Sequence, residues 1–355
     1  MINCYLQQRN LTNLQMAKKV VTLGEIMLRL STPNHKRILQ SESFDVNYGG
    51  GEANVAIAVC NYGLEGVFVS KLPENSIGQS AINHLRKFGV DTRHILRGGD
   101  RMGVYYIESG ASIRSSQVIY DRKDSSFANA AANEFDFEKI LDGADWFHVS
   151  GITPAISPQA AVMAETALKV AKSKGITTSF DLNIRKKMWN AEQAAPVISS
   201  LWKYVDVAIG LEKDFMAALG YSLGDFDYQG KSNIKDFEQA IQQLQSKFGF
   251  KYFASTLRMN QSASYNELAG FISDGKHFHL TKKYDIHIVD RVGSGDSFAS
   301  GLIYGLISGK SMKDAAEFGV AASALKHTFH GDANYATIQE IETLIHSGIG
   351  ANVQR

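Results

Sequence analysis

Asp145-Trp146-Phe147-His148-Val149-Ser150 opens the stretch that decides the fold. Trp146 to Ser150 reads as a strand, Pro158 to Ser173 as a helix and Ile176 to Phe180 as a second strand. Ala194 to Trp202 then reads as a helix and Val205 to Ile209 as a strand. Strands that alternate with helices over short connections imply a mainly parallel sheet with helices on both faces, an α/β fold. Ligands of such sheets bind at the carboxyl ends of the strands.

The alternation extends both ways. Downstream lie a helix from Asp236 to Phe248, a strand from Tyr252 to Thr256, a strand pair across Asp274-Gly275, and helices from Ser297 and Ser311. Upstream, Val20 to Leu30 is a strand-like run broken at Gly24-Glu25, Gly66 to Leu72 is a strand, and Ser76 to Phe88 is a helix closed by Gly89. Leu39 to Tyr48 alternates polar and apolar residues, as a sheet with one wet face does. Gly103 to Glu108 and Ser116 to Tyr120 flank a polar turn like a hairpin. The 39–48 and 103–122 segments are expected to form a small sheet that covers the site, from which Tyr105, Tyr120 and Arg122 project.

The balance of 37 Lys plus Arg against 36 Asp plus Glu gives no reason to expect a nucleic acid or a membrane surface as partner. With 44% hydrophobic and 21% charged residues, the 355-residue chain reads as globular. Cys4 and Cys60 lack metal-type spacing, no run approaches the roughly twenty apolar residues of a membrane span, and the opening lacks the apolar core of a signal peptide. A reducing cytoplasm is expected. Residues 1–18 read as an N-terminal extension to a domain over 19–355, with Met16 as the natural start or residues 1–15 dispensable.

Val289-Asp290-Arg291-Val292-Gly293-Ser294-Gly295-Asp296-Ser297-Phe298 is the stretch where chemistry is expected. Its glycines precede an apolar run at helical spacing, Phe298, Leu302, Ile303 and Leu306. The first N–H groups of a helix have no internal partner and carry the positive end of its dipole, so Gly293, Ser294 and Gly295 can present donors to an anion. Asp296 at the rim could take a proton from a hydroxyl that attacks a bound phosphate. The same turn also reads as a simple helix cap, and this stretch alone leaves both open.

Gly49-Gly50-Gly51-Glu52-Ala53-Asn54 opens another helix. It reads equally as a close approach to a ligand, with Asn54 bonding hydroxyls, or as tight packing. Asp181-Leu182-Asn183-Ile184-Arg185 follows a strand, which puts Asp181, Asn183 and Arg185 on one side at the ligand end. Arg185 offers a fork for a carboxylate or phosphate. Thr256-Leu257-Arg258 ends another strand and could border a nucleotide, or be a surface loop. His148 and His327 read as structural.

Together the 49–54, 181–185 and 290–298 motifs, in that order, resemble the ribokinase-like, PfkB-type carbohydrate kinases over roughly Lys19 to the C-terminus. Gly151-Ile152-Thr153-Pro154-Ala155, Tyr120-Asp121-Arg122-Lys123, and Leu325-Lys326-His327-Thr328 with Gly331-Asp332 make the chain similar to the 2-keto-3-deoxygluconate kinases in particular. The resemblance implies a ribokinase-like fold with a small lid sheet. It also implies Mg²⁺-assisted transfer of the ATP γ-phosphoryl group to a sugar hydroxyl, with Asp296 as base and Gly293, Ser294 and Gly295 as anion hole. Gly50, Glu52, Asn54, Tyr105, Tyr120, Arg122, Arg185 and Asp332 match sugar-acid positions. Asn183, Thr256, Leu257, Arg258, Gly293 and Gly295 match nucleotide positions. Where many relatives carry Asn-x-x-Glu for Mg²⁺ and phosphate, this chain has Leu211-Glu212-Lys213-Asp214, so Asp214 or Glu212 would take that role.

A neutral sugar needs mostly hydroxyl partners and a sugar acid needs a cation, which Arg122 and Arg185 can supply. Two other readings are a kinase of fructose or ribose and a catalytically idle sugar-binding relative. The exposed cover sheet invites a homodimer.

Overall fold

In the computed structural model, which describes residues 17–184, 188–210 and 234–347, the alternation quoted above becomes the middle of a ten-stranded sheet. The strands are β1 (Lys19–Leu23), β2 (Met27–Ser31), β3 (Asp45–Gly49), β4 (Glu65–Leu72), β5 (Ile95–Arg97), β6 (Val104–Glu108), β7 (Gln117–Asp121) and β8 (Trp146–Ser150). They continue as β9 (Thr177–Asp181), β10 (Val207–Ile209), β11 (Tyr252–Asn260), β12 (Tyr265–Ser273), β13 (Phe278–Leu280) and β14 (Tyr284–His287). The large sheet runs β13-β12-β11-β10-β9-β8-β1-β4-β5, and β14 also pairs with β12. Every pair from β11 to β5 is parallel, and the pairs made by β12 are antiparallel.

The described helices are α1 (Gly51–Asn61), α2 (Ser76–Lys87), α3 (Phe137–Ile140), α4 (Ile152–Ile156) and α5 (Pro158–Ser173). After them come α6 (Ala191–Trp202), α7 (Ile234–Phe248), α8 (Ser294–Ile307), α9 (Met312–Lys326) and α10 (Ile338–Ser347). Local chemistry sets their ends. In α5 the Ser157 hydroxyl accepts from Ala160 N–H at 3.1 Å, Pro158 occupies the first turn, and Ala160, Met163, Ala164, Ala167, Leu168 and Ala171 form one buried stripe. Gly175, at φ +71°, turns the chain back into β9.

Because side chains alternate along a strand, each central strand feeds two cores. Phe147, Val149, Phe180, Ala208 and Phe253 pack with α5, α6 and α7 on one face. Trp146, Val207, Ile209 and Ala254 pack with α1, α8 and α9 on the other. Burial on both faces is why these strands hold few charges, and the polar residues they do carry, such as His148 and Ser179, bond one another. Among the described residues no helix is long and apolar enough to cross a membrane.

The second sheet has four strands in the order β3-β2-β6-β7. The hairpin is where the sequence places it, but two expectations need correction. Residues 39–44 are not strand: Ile38–Gln40 is a single helical turn and β3 starts at Asp45. The run 20–30 is not one broken strand either. Its first half is β1 of the large sheet and its second half, β2, leaves at Gly24-Glu25 to become an inner lid strand, parallel to β6. The apolar alternation persists across the break, so the pattern shows an interruption without showing a change of sheet. Lys18, assigned to the extension, already belongs to the fold: its carbonyl accepts from Glu65 N–H at 3.0 Å and its ammonium pairs with Asp145 at 2.7 Å.

Candidate active site

The carboxyl ends of β1, β9, β10 and β11 open into a cleft of about 320 Å³, roofed by the lid sheet. The N-terminal turns of α1 and α8 enter it from the side. Gly293 caps α8 at φ +81°, and a Cβ there would lie 2.1 Å from the carbonyl oxygen of Asp332, so only glycine fits. The first intrahelical bond runs from Ser297 N–H to Gly293 C=O at 2.9 Å, leaving the N–H groups of Gly295 and Asp296 ahead of it. The Ser294 side chain turns away, its hydroxyl donating to Arg291 C=O at 2.9 Å, and its N–H points to the same carbonyl at 3.4 Å.

Asp296 stands in that first turn, half-buried, and Asn54 Nδ2 donates to its Oδ2 at 2.7 Å. A Cβ placed on Gly51 would lie 3.5 Å from Asp296 Oδ1, so the start of α1 abuts the carboxylate as well. Two helix N-termini thus converge on one carboxylate. Glu52 departs from expectation. Its carboxylate lies behind the cleft wall, with Oε1 accepting from Ser150 N–H at 2.8 Å, Ser150 Oγ at 2.7 Å and Thr153 Oγ1 at 2.9 Å. It ties α1 to the end of β8 and is too deep to touch a ligand, and burial raises its pKa against those hydrogen bonds.

The inner face of the lid is read from strand register: Asn47, Arg29, Tyr105 and Tyr120 are successive cross-strand neighbours. Arg29 is fully buried and bonds Asp332 Oδ1 at 2.7 Å and Asp290 Oδ2 at 2.5 Å. Burial alone would lower its pKa, and Asp332 and Asp290 beside it reverse this and raise it. The Tyr105 hydroxyl donates to Asp332 Oδ2. Arg122 lines the cleft, yet it is not a free cation. Its Nη2 and Nε lie 2.5 and 2.9 Å from Glu25 Oε2, at the point where the chain leaves β1 for the lid. The Glu25 carboxylate also accepts from Ser125 Oγ at 2.5 Å.

On the opposite side, Asp181, Asn183, Thr256 and Arg258 line the cleft. Asn183 takes a left-handed conformation, φ +36°, with its N–H donating to Asp181 Oδ1 at 3.2 Å. Leu257 is corrected: strand alternation points it into the apolar core beside Phe253 and Phe271. Arg185 and Asp214 lie outside the described residues.

A model of the family described as pfkB family carbohydrate kinase matches residues 17–338. The chain belongs to this family of carbohydrate kinases. A solved 2-dehydro-3-deoxygluconokinase from Thermotoga maritima is 48% identical, with a TM-score of 0.89 and coverage of 93% of this chain and 98% of that one. The 2-dehydro-3-deoxygalactonokinase of Haloferax volcanii is 32% identical over 333 residues, 94% of this chain and 98% of the relative. A proposed ribokinase II from E. coli, solved in complex with ATP and Mg²⁺, shares the fold at 22% identity and a TM-score of 0.78, covering 93% of this chain and 99% of that one.

In this carbohydrate kinase the structure brings Gly50, Asn54, Tyr105, Tyr120, Arg122, Asn183, Thr256, Arg258, Gly293, Ser294, Gly295, Asp296 and Asp332 around one cleft. Sequence reasoning missed Glu25, Arg29 and Asp290, which hold those groups in place. Each carries a signal in retrospect. Glu25 is the charge at a strand break, Arg29 interrupts the apolar run Met27-Leu28-Arg29-Leu30, and Asp290 opens the glycine turn, where its Oδ1 accepts from Val292 N–H at 3.0 Å and its Oδ2 from Gly331 N–H at 3.1 Å.

Proposed function

We propose that this kinase transfers the γ-phosphoryl group of MgATP to the 6-hydroxyl of 2-keto-3-deoxygluconate. The observation that carries the reading is Asp296, set by Asn54 in the first turn of α8 beneath a lid that bears an arginine. The 48% identity to the Thermotoga maritima enzyme favours the acid over a neutral sugar.

Asp296 takes the proton of the attacking hydroxyl as the oxygen–phosphorus bond forms and the bond to the β-phosphate oxygen breaks, releasing ADP. The N–H groups of this turn, those of Gly293, Gly295 and Asp296 with Ser294 already bonded to Arg291 C=O at 3.4 Å, would face the charge that builds on the transferred group, where preorganised donors act most strongly. Mg²⁺ would come with the nucleotide and neutralise phosphate charge. The residues fit this arrangement: the cleft carboxylates Asp181 and Asp296 are hard oxygen donors of the kind Mg²⁺ takes beside phosphate. Tyr105 and Asp332, which line the cleft bonded to each other, would meet sugar hydroxyls. Arg122, with Glu25 drawing on one edge of its fork, would give the rest to the carboxylate, and Arg185 would supply the second cation. ATP as donor goes with a cytoplasmic setting.

For quaternary structure we propose a homodimer through the outer lid face. There Val46, Leu30, Tyr106 and Ile119 align across all four strands, and Val46 and Ile119 are 60% and 52% exposed.

An ADP-release assay with 2-keto-3-deoxygluconate, 2-keto-3-deoxygalactonate, fructose and ribose tests the assignment. The keto-acids should be the preferred acceptors. Equal rates with fructose would transfer it to a neutral-sugar kinase, and no turnover with any of them would make the protein an idle relative.

A further inference from the structure

Arg291, second residue of the turn that opens α8, has no role in the mechanism above, yet its placement is specific. It lines the same cleft as Gly293, Gly295 and Asp296. Its Nη2 donates to the carbonyl oxygens of Ala263 at 3.1 Å and Ser262 at 3.4 Å, in the tight turn between β11 and β12. Its Nε is buried without a hydrogen-bond partner, and no carboxylate of the described residues forms an ion pair with it. A half-buried guanidinium held by two carbonyls, beside an Asp290 carboxylate that attracts it but is already paired with Arg29 at 2.5 Å, is incompletely compensated, and an anion beside it would remove that cost.

The turn that orients it is itself fixed. Ser262 N–H donates to Tyr265 C=O at 3.1 Å, and Ser264 C=O accepts from Ile288 N–H at 2.9 Å. The tip of the lid hairpin reaches the same turn: Ala263 N–H donates to Ser112 C=O at 2.8 Å, and Ser112 N–H donates to Ser264 Oγ at 2.9 Å. Thus the lid tip, the β11–β12 turn and the α8 turn form one connected frame around the guanidinium. Arg291 is two residues from Gly293, which caps the helix N-terminus that would receive the transferred phosphoryl group, and it lines the cleft together with Gly293, Ser294 and Gly295 of that turn.

We propose that Arg291 is a binding residue for the polyphosphate of the nucleotide, held in place by the Ser262 and Ala263 carbonyls and by the lid tip that fixes them. The inference rests on the MgATP reading. It excludes the carboxylate of the sugar acid as the ligand of Arg291, although the two anions share the chemistry that would recruit a guanidinium.

Calorimetric titration of ADP, adenosine and 2-keto-3-deoxygluconate, each separately, into wild type, Arg291→Met and Arg291→Lys tests this. Arg291→Met should weaken ADP at least tenfold and leave adenosine and the acid within twofold, with Arg291→Lys between it and wild type. ADP binding equal to wild type in both variants would overturn the inference alone. So would loss of acid binding with ADP retained, or equal losses for adenosine and ADP, which would make Arg291 a brace of the turn. A wild type that binds no ADP would overturn the nucleotide reading itself. If Arg291→Met does not fold, Arg291→Lys decides by the ratio of its ADP to its adenosine loss.

Discussion

Asn54 Nδ2 donates to Asp296 Oδ2 at 2.7 Å, and through this bond the glycine turn of α1 orients a carboxylate carried by α8, 242 residues away in sequence. If Asp296 is the base, the two residues divide the work: one accepts the proton, the other aims the acceptor. Asp296→Asn should lower kcat by about 10²- to 10⁴-fold with ADP binding intact. Asn54→Ala should lower kcat by about 10- to 100-fold, the worth of a hydrogen bond to a charged group, while the Michaelis constants change little. Steady-state kinetics and calorimetry check both, and an Asp296→Asn enzyme with most of its turnover would remove Asp296 from the chemistry.

The Glu25–Arg122 pair ties the lid to the end of β1 at 2.5 Å, with side-chain exposures of 2% and 12%. Removing one partner of so buried a pair leaves an uncompensated charge, so Arg122→Gln should cost on the order of 3–5 kcal/mol of stability. It should also raise the Michaelis constant for the acid while that for ATP stays near wild type. Adding Glu25→Gln to Arg122→Gln should restore much of the stability and none of the acid affinity. Should acid affinity return together with stability, Arg122 would be a strut of the lid and nothing more.

Gly293 permits only a hydrogen where a Cβ would fall 2.1 Å from Asp332 C=O, at a φ of +81°. Gly293→Ala must therefore move the α8 turn or the 331–332 segment. The expected result is a loss of stability above about 1 kcal/mol and a larger fall in kcat than in substrate affinity. Chemical unfolding and kinetics on one preparation measure both, and a fully active Gly293→Ala enzyme would show that the turn tolerates displacement.

The sheet and its helices are legible in the sequence because short β-prone runs such as Trp146–Ser150 and Thr177–Asp181 alternate with helical runs over short connections, although the buried strands carry polar residues such as His148, Thr178 and Ser179. Motif spacing likewise locates the glycine turns and Asp296, whose backbone role is written in residue type. Side-chain destinations are less legible. Glu52 sits in a glycine motif and reads as a ligand, but one turn of helix rotates it to Ser150 and Thr153. Arg122 reads as a free cation because its partner, Glu25, is 97 residues away and belongs to a different sheet connection. β2 reads as a continuation of β1, because period-two alternation says which face is apolar and not which sheet it lies in. Pairings of this kind depend on tertiary register, which a single chain's local pattern does not carry.

His148 is fully buried in β8, its Nδ1 2.8 Å from Ser179 Oγ, and burial lowers its pKa from the ordinary 6.5 to about 3. The folded chain therefore keeps the ring neutral down to about pH 3, whereas the unfolded chain takes up a proton near pH 6.5. Between those values the unfolded state binds more protons, so the contribution of His148 is complete above pH 6.5 and is lost as pH falls toward 3. One such group gives a slope of about 1.4 kcal/mol per pH unit. His327, also buried and also lowered to about 3, adds a second. Urea unfolding from pH 7 to pH 4 should show His148→Gln losing stability less steeply than wild type by about one proton, whatever its stability at neutral pH. Parallel curves for the two proteins would mean that His148 is protonated in the native sheet, and that its bond to Ser179 is made by an imidazolium.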